Sequence, residues 1–168
     1  PCNAGSSLGA GKVKNPDELM AALYEAAKFD SRILVEEYIN AREIECAVLG
    51  NENPKASCPG EVAPTAEFYD YDAKYISNTS ELIIPAALEQ NVSDTIRSYG
   101  IRAYTALGCR GLSRVDFFIR RETGEIYLNE INTLPGFTSI SMYPKLWEAS
   151  GIPYSKLIDE LILLAYKE

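Results

Sequence analysis

The sequence predicts an α+β fold, a mostly antiparallel sheet with flanking helices, and three observations support it. Polar capping residues followed by an apolar stripe indicate a helix that begins near Asn15. Several short apolar segments bounded by turn residues are typical of strands. Two of these, residues 112–120 and 125–132, flank a Glu-Thr-Gly turn, which makes them antiparallel neighbours. The length of 168 residues suits about one domain with a complete core.

The elements are assigned in order along the chain. Asn15 is the expected N-cap of the first helix, Pro16 its first residue, and Glu18 the acidic partner three positions after the cap. Further helices are predicted at about residues 93–107 and 153–166, where apolar residues recur with helical spacing. Residues 68–81 (FYDYDAKYISNTSE) have no clean period and predict a loop. Strands are predicted at residues 12–14, 32–38, 42–49, 59–64, 82–85, 112–120 and 125–132.

The composition restricts the chemistry. A net charge of −8 argues against nucleic acid or an anionic membrane as a partner. No run of residues is long and apolar enough to cross a bilayer, and the four cysteines lack metal-ligand spacing, so a cytoplasmic protein with reduced thiols is expected. The chain has no histidine, which removes the commonest general base. Catalysis must therefore use carboxylates, lysines, arginines, hydroxyl groups or a metal.

The first glycine-rich stretch, residues 3–13 (NAGSSLGAGKV), has features of a phosphate-binding loop. It is not a Walker loop, because Ser6 stands where the first glycine belongs and Val13 follows the lysine. It also lacks the third glycine of a dinucleotide fingerprint. Taken alone, the stretch is compatible with an ordinary flexible turn or with a ligand-binding loop.

The most informative residues lie on the two strands of the predicted hairpin, residues 112–120 and 125–132. Side chains alternate between the two faces of a strand, so Arg114 and Asp116 share one face with Phe118, and Glu130 and Asn132 share a face of the next strand. A three-residue loop with Gly124 left-handed places Asp116 opposite Glu130. Paired carboxylates with an amide are suitable Mg²⁺ ligands. The alternative is a solvated outer face that carries mixed charges.

The stretch NEINTLPGFTSIS, residues 129–141, closely resembles the D-alanine–D-alanine ligases of the ATP-grasp superfamily. The resemblance also includes NAGSSLGAGKV at the start, LVEEYINAREIECAVLG, EFYDYDAKY, GLSRVDFF and SMYPKLWEASG. These motifs occur in order and cover essentially all 168 residues. Each motif alone is weak, whereas their conjunction is highly specific.

The resemblance implies roles for the hairpin and for the loop that follows it. Asp116, Glu130 and Asn132 match the magnesium ligands of the family, in agreement with the strand-parity argument. Arg114 and the backbone amide of Gly136 match the groups that stabilise the tetrahedral oxyanion of acyl transfer. Ser141 and Met142 match the segment that receives the carboxylate of the second D-alanine.

The resemblance also implies a nucleotide site. The stretch 36–39 matches the residues that read adenine, and Glu43 matches the ribose contact. Lys74 matches a phosphate-binding lysine of the omega loop, and Tyr75 matches the tyrosine that hydrogen-bonds the serine at the position of Ser6. The glycine loop would close over the phosphates. The residues expected around the nucleotide are Glu36, Glu37, Tyr38, Ile39, Glu43, Phe68, Lys74 and Phe118.

Several of these residues have ordinary structural alternatives. Tyr38 and Phe68 suit core aromatic positions, Lys74 suits a surface lysine, and Ser141 suits a helix cap. Glu36 and Glu37 suit the solvated end of a strand.

The family resemblance predicts an ATP- and Mg²⁺- (or Mn²⁺-) dependent ligase that joins two D-alanines for peptidoglycan synthesis, acting as a homodimer. Residues 1–36 would end the central ATP-grasp subdomain and residues 37–168 would form the C-terminal one. The N-terminal domain of the family is not matched, so these 168 residues alone are expected to be inactive. Two other hypotheses remain: a ligase that uses D-lactate or D-serine, and a nucleotide-binding fragment without catalysis.

Overall fold

The computed structural model describes residues 1–64 and 80–167. The described residues form two compact units, Pro1–Ile39 and a larger unit of residues 40–64 and 80–167. Phe68, Lys74 and Tyr75, and nearly all of the loop predicted at 68–81, lie outside the described residues. The subdomain boundary predicted after residue 36 stays a prediction. In the described part of the chain, no helix combines the length and apolar character needed to cross a membrane.

The smaller unit contains helix α1, Pro16–Ala27, which begins where the capping residues predict. The Asn15 side chain accepts hydrogen bonds from the backbone N–H groups of Asp17 and Glu18. The Glu18 carboxylate accepts from the N–H of Lys14 at 2.9 Å, one residue earlier than an ideal capping box would have it. The cap therefore binds two N–H groups that the first helical turn would otherwise leave without partners, and Glu18 binds the N–H of the residue before the cap.

Two predicted strands of this unit are wrong. Residues 12–14 and 32–38 form no strand, and Leu34 and Val35 are 62% and 67% exposed. A strand needs a neighbour that takes its backbone hydrogen bonds. Within the described part of this unit, the segment has one backbone–backbone hydrogen bond, from the Cys2 N–H to the Arg32 carbonyl (3.0 Å), and no ladder forms. An apolar pattern does not report whether a neighbouring strand is present.

The larger unit is an antiparallel sheet, which confirms the predicted architecture. Its described strands follow the order β4-β3-β1-β5-β6, and β2 pairs with the end of β1. All of the pairings are antiparallel. The strands are β1 (Ala41–Leu49), β2 (Lys55–Ala56), β3 (Gly60–Pro64), β4 (Ser80–Ile83), β5 (Leu112–Arg120) and β6 (Ile126–Asn132).

Helices cover both faces of this sheet. Helix α2 (Gln90–Ala106) packs Ile96 and Tyr104 against one face. Helices α3 (Met142–Ala149) and α4 (Tyr154–Ala165) pack against part of the other face. The last four residues of β1, 46–49, are all buried, because helices cover both sides of the sheet there. The α2-side core of the sheet consists of Ile44, Cys46, Val48, Ala56, Val115, Phe117 and Ile119.

The β5–β6 hairpin differs from its prediction at the turn. Gly124 is left-handed as expected (φ 72°), but the loop has four residues, 121–124, since the Arg120 N–H bonds to the Glu125 carbonyl. Near the turn, Phe117 consequently pairs with Leu128. A bulge between Asp116 and Phe117 adds Asn129 on β6 and restores the pairing of Asp116 with Glu130. The expected pairs are confirmed, although the loop is one residue longer than predicted and the bulge compensates for this difference.

A partly buried ion pair connects β1 to β3 on the α2 side. The Arg42 Nε and Nη2 atoms donate to the two carboxylate oxygens of Glu61 at 2.9 and 2.6 Å, and Nη2 also donates to the Ala87 carbonyl. The hydrogen bond from Arg42 lowers the pKa of Glu61 below its ordinary value of 4.5. The folded state therefore binds this proton less tightly than the unfolded chain, and the stabilisation is present above pH 4.5 and lost as the pH falls.

We expect Glu61→Gln to lower the free energy of unfolding at pH 7 by about 1.5–3 kcal/mol, since a charged hydrogen bond is lost. Urea titrations between pH 7 and pH 3 should then show a shallower acid destabilisation than in the unsubstituted chain. Glu148→Gln, at an exposed position, is the control. Parallel pH profiles for the Glu61 variant and the unsubstituted chain would contradict the assigned role.

Candidate functional site

The candidate site lies on the face of the sheet opposite α2. Arg114 and Asp116 of β5 point to this face because Val115 and Phe117, their neighbours in sequence, enter the α2-side core. In the observed register Arg114 pairs with Asn132, and Asp116 pairs with Glu130. The four residues that the strand-parity argument predicted are therefore brought together on one side of two neighbouring strands.

The bulge makes this arrangement possible. With the four-residue turn and no extra residue, Glu130 would pair with Val115, whose side chain enters the core. A shift of one residue moves every side chain of a strand to the other face. The extra residue, Asn129, therefore places Glu130 and Asn132 on the site face.

Asp116 is the centre of the cluster. The Arg114 Nε and Nη2 atoms donate to its two carboxylate oxygens, both at 2.7 Å. The Asn132 amide nitrogen donates to the same carboxylate at 3.0 Å and to Glu130 at 3.2 Å. A bidentate guanidinium–carboxylate pair fixes the plane of the arginine as well as its position.

Glu45 is a member of the cluster that sequence reasoning missed. It lies on β1 directly opposite Asp116, and its Oε2 is 3.0 Å from the Arg114 Nε atom. The Nε–H points at Asp116, so this oxygen is buried in an ion pair without a directed hydrogen bond from the described residues. The alternation of Glu43 and Glu45 was visible in the sequence. The sequence did not show that β1 pairs with β5, and this pairing brings Glu45 next to Arg114.

Burial and mutual repulsion shift the titration of these groups. Burial raises the pKa of Glu45 to about 8, the charge of Asp116 adds to the rise, and Arg114 opposes it. Burial also raises the pKa of Asp116, against the hydrogen bond from Arg114. Burial alone would lower the pKa of Arg114, but the hydrogen bond to Asp116 and the charge of Glu45 raise it. Arg114 thus stays cationic, whereas burial favours the protonated forms of Glu45 and Asp116.

This donor set fits a divalent cation. Carboxylate and amide oxygens are the ligands that Mg²⁺ prefers. Asp116, Glu130 and Asn132 would hold the ion. Residues 1–64 and 80–167 contain no ready-made cluster of three histidine, cysteine, aspartate or glutamate side chains. Phosphate oxygens and water would therefore have to complete the coordination.

Two residues predicted to contact the nucleotide extend the same face. Glu43 of β1 pairs with Phe118 of β5, two positions along from the pair of Glu45 and Asp116. Glu43 is exposed and Phe118 is partly buried. An aromatic ring and a carboxylate therefore adjoin the charged cluster, on the side of the hairpin turn.

The loop of residues 133–141 is held near the cluster by helix α3. Gly60 pairs with Glu45, and a Cβ atom at Gly60 would lie 2.8 Å from Leu146 and 3.1 Å from the Met142 Sδ atom. Only glycine permits α3 to approach the strand so closely. The first residue of α3 therefore lies on the site face, and the loop that precedes it ends there.

Ser141 and Gly136 lie in this loop, and Met142 begins the helix. Ser141 occupies the N-cap position of α3, but its hydroxyl group makes no capping bond and instead contacts Thr138. A Cβ atom at Gly136 would lie 2.9 Å from the Ser141 Oγ atom. Met142 is buried among the residues that pack α3 and α4 onto the sheet. Its side chain thus serves the core, which leaves the backbone as the part of Met142 available to a ligand.

The remaining predicted residues belong to the smaller unit. Glu36, Glu37 and Tyr38 are exposed on a segment without regular secondary structure, and Ile39 is partly buried. The Lys12 ammonium group lies 3.6 Å from the centre of the Tyr38 ring, a cation–π contact. Tyr38 is therefore not a core aromatic in the described structure.

The glycine loop of the same unit turns tightly. Ser6 and Ser7 have φ values of 54° and 59°, and Gly9 has a φ of 73°. Hydrogen bonds from Leu8 to the Gly5 carbonyl and from Ala10 to the Ser7 carbonyl close two successive turns. Consecutive left-handed residues expose backbone N–H groups in the manner of anion-binding loops.

Comparison with known proteins identifies the family. The family model described as D-ala D-ala ligase C-terminus matches residues 1–163. The chain is 62% identical to the D-alanine–D-alanine ligase of Ruminiclostridium cellulolyticum, over 99% of this chain and 45% of the relative. It is 61% identical to that of Clostridium acetobutylicum, over 98% and 48%. The chain thus spans about half the length of the curated relatives it matches.

Solved structures agree with this result. The D-alanine–D-alanine ligase of Coxiella burnetii is 43% identical with a TM-score of 0.82, over 96% of this chain and 42% of that one. The VanG D-Ala:D-Ser ligase of Enterococcus faecalis is 41% identical with a TM-score of 0.85, over 96% and 47%. The chain therefore belongs to the D-alanine–D-alanine ligase family and corresponds to its C-terminal, ATP-grasp part.

Proposed function

We propose that the protein carrying this chain is an ATP- and Mg²⁺-dependent ligase that joins two D-alanines through a D-alanyl phosphate, as a step in peptidoglycan precursor synthesis. The convergence of Arg114, Asp116, Glu130 and Asn132 on one sheet face carries the proposal. In the first step, a carboxylate oxygen of D-alanine attacks the γ-phosphorus of ATP and ADP leaves. The amine of the second D-alanine then attacks the carbonyl carbon, loses a proton, and phosphate leaves.

Arg114 is suited to hold the oxyanion that forms in the second step. Its contacts with Asp116 and Glu45 use Nε and Nη2. The hydrogen bonds of Arg114 with the described residues come from Nε and Nη2, so Nη1 is the nitrogen that could donate to a ligand. A fixed donor aimed at a developing negative charge stabilises the transition state without reorganisation. Asp116 and Glu45 hold the guanidinium from two sides, and the Gly136 N–H would supply the second donor.

The acidic residues of the site would hold magnesium. Bound there, the ion would neutralise the phosphate oxygens of ATP and favour attack by the substrate carboxylate. Asp116, Glu130 and Asn132 would hold it, and Glu43 and Phe118 would contact the nucleotide from the neighbouring positions. The family resemblance also assigns a role in nucleotide binding to Glu36, Glu37, Tyr38, Ile39, Phe68 and Lys74.

Water must be excluded because an acyl phosphate hydrolyses. The glycine loop with Ser6, and Tyr75 as its partner, would act as lids over the reacting groups. Ser141 would receive the carboxylate of the second D-alanine. The assembled enzyme would be a cytoplasmic homodimer without nucleic-acid or membrane partners.

A second candidate is a ligase that accepts D-serine or D-lactate as the second substrate. The resemblance in structure to the Enterococcus faecalis D-Ala:D-Ser ligase, with a TM-score of 0.85, supports keeping this candidate. Tyr75 in the omega-loop stretch favours dipeptide formation from two D-alanines.

We expect a full-length protein that carries this chain to release phosphate from ATP only when Mg²⁺ and D-alanine are both present. Chromatography should identify D-alanyl-D-alanine as the product, and addition of D-serine or D-lactate should leave the dipeptide predominant. The isolated chain of 168 residues, assayed in parallel, should be inactive. A full-length protein that binds ATP but forms no product with any of the three acceptors would support the non-catalytic hypothesis instead.

A further inference from the structure

The loop of residues 133–141 contains a pair of hydroxyl groups that the proposed mechanism does not yet use in full. The Thr138 backbone N–H donates to the Ser141 Oγ atom at 3.0 Å. The Thr138 and Ser141 hydroxyl oxygens are 2.8 Å apart, and either can be the donor. The Ser141 N–H closes the turn by donating to the Thr138 carbonyl at 3.0 Å. Thr138 thus contacts Ser141 through its backbone and its side chain.

We propose that Thr138 is a positioning residue that directs the Ser141 O–H toward the carboxylate of the second substrate. This inference rests on the proposed function, because it assumes that Ser141 receives that carboxylate. It adds a role for Thr138, whose hydroxyl group would act through Ser141 and not on the substrate.

The argument follows from the hydrogen-bonding capacity of a hydroxyl group. Serine has one O–H donor and two acceptor lone pairs. The Thr138 N–H occupies one lone pair of Ser141, and the Thr138 O–H, as donor, occupies the other. The Ser141 O–H then has no partner within the described residues. It remains available for an acceptor that enters the site from outside.

A bound carboxylate selects this direction of the hydrogen-bond chain. An ionised carboxylate can only accept, so Ser141 must donate to it and must then accept from Thr138. Successive hydrogen bonds of the same sense polarise and strengthen one another. Ser141 also precedes helix α3 at its N-cap position without capping it, so the positive end of the helix adds to the attraction for an anion.

The position of the Ser141 hydroxyl is restricted from another side as well. A Cβ atom at Gly136 would lie 2.9 Å from the Ser141 Oγ atom, so the absence of a side chain at Gly136 leaves the space that this oxygen needs. Thr138 and Gly136 therefore determine both where the oxygen lies and which of its directions is free for a ligand.

The test removes one hydroxyl group at a time from the full-length protein. Thr138→Val keeps the branched shape and the backbone N–H, and Thr138→Ser keeps the hydroxyl group. We expect Thr138→Val to raise KM for the second D-alanine about five- to tenfold, the effect of losing one hydrogen bond, with KM for ATP unchanged. Thr138→Ser should restore the unsubstituted value. Ser139→Ala, an exposed neighbour in the same loop, is the matched control.

A double-mutant cycle with Ser141→Ala distinguishes positioning from direct binding. If Thr138 acts through Ser141, adding Thr138→Val to Ser141→Ala should not raise KM for the second D-alanine further. An additional increase in that background would mean that Thr138 binds substrate directly and would overturn the inference. An unchanged KM for Thr138→Val alone would overturn it too, as would equal changes in KM for ATP and for D-alanine.

The result also separates this inference from the proposed function. A full-length protein that forms no D-alanyl dipeptide would overturn the proposed function and the inference together. An active enzyme in which the cycle is additive would overturn the inference alone.

Discussion

Replacing Asp116 by asparagine is expected to lower the turnover of the full-length protein about a thousandfold or more. Asparagine keeps the shape of the side chain but removes the negative charge. That charge accepts two hydrogen bonds from Arg114, each 2.7 Å long. The same change removes one of the two carboxylates proposed to bind magnesium. Loss of several kcal/mol of charge stabilisation in the transition state corresponds to this factor.

Steady-state phosphate release over a range of Mg²⁺ concentrations measures both effects. The concentration of Mg²⁺ needed for half-maximal rate should rise, and saturating Mg²⁺ should not restore kcat, because Arg114 would still lack its bidentate partner. Glu122→Gln, in the exposed turn of the same hairpin, is the control and should leave the rate unchanged. Full turnover by the Asp116 variant would remove the basis for both assigned roles.

Replacing Phe117 by alanine is expected to destabilise the chain by about 3–5 kcal/mol. Phe117 is 1% exposed and lies in the core between the sheet and helix α2, next to the strand position that carries Asp116. Truncation removes buried apolar surface and leaves a cavity that the surrounding strands cannot close without disturbing the site.

Urea or thermal unfolding of the chain measures this change. Leu134→Ala is the matched control, because Leu134 is 86% exposed and its truncation should change the free energy of unfolding by less than about 0.5 kcal/mol. A Phe117 variant as stable as the Leu134 variant would show that the core tolerates the cavity, in contradiction to its observed packing.

Local signals predicted the elements that local interactions determine. The cap at Asn15 and the left-handed Gly124 have structural causes contained in a few consecutive residues, and both were predicted correctly. The pairing of Asp116 with Glu130 was also predicted, but from a three-residue loop; the observed pairing comes from a four-residue loop and a bulge, and the sequence pattern indicated neither.

Properties that depend on distant parts of the chain were not predictable in the same way. Whether residues 32–38 become a strand depends on a neighbouring segment, and the role of Glu45 depends on β1 lying beside β5. The hydrophobic pattern does not show which segments of the chain become neighbours in either case. The pairing between Thr138 and Ser141 likewise depends on a loop conformation that no periodicity reports.

The extra residue at Asn129 has a consequence for how length variation is tolerated along the hairpin. The tip, residues 121–124, is exposed and lies beyond the register change, so insertions there alter only solvent-facing chain. Loss of a single residue between Tyr127 and Glu130 would instead rotate the acidic side chain toward the hydrophobic interior and an apolar one toward the substrates. Two places a few residues apart therefore differ completely in their tolerance of indels.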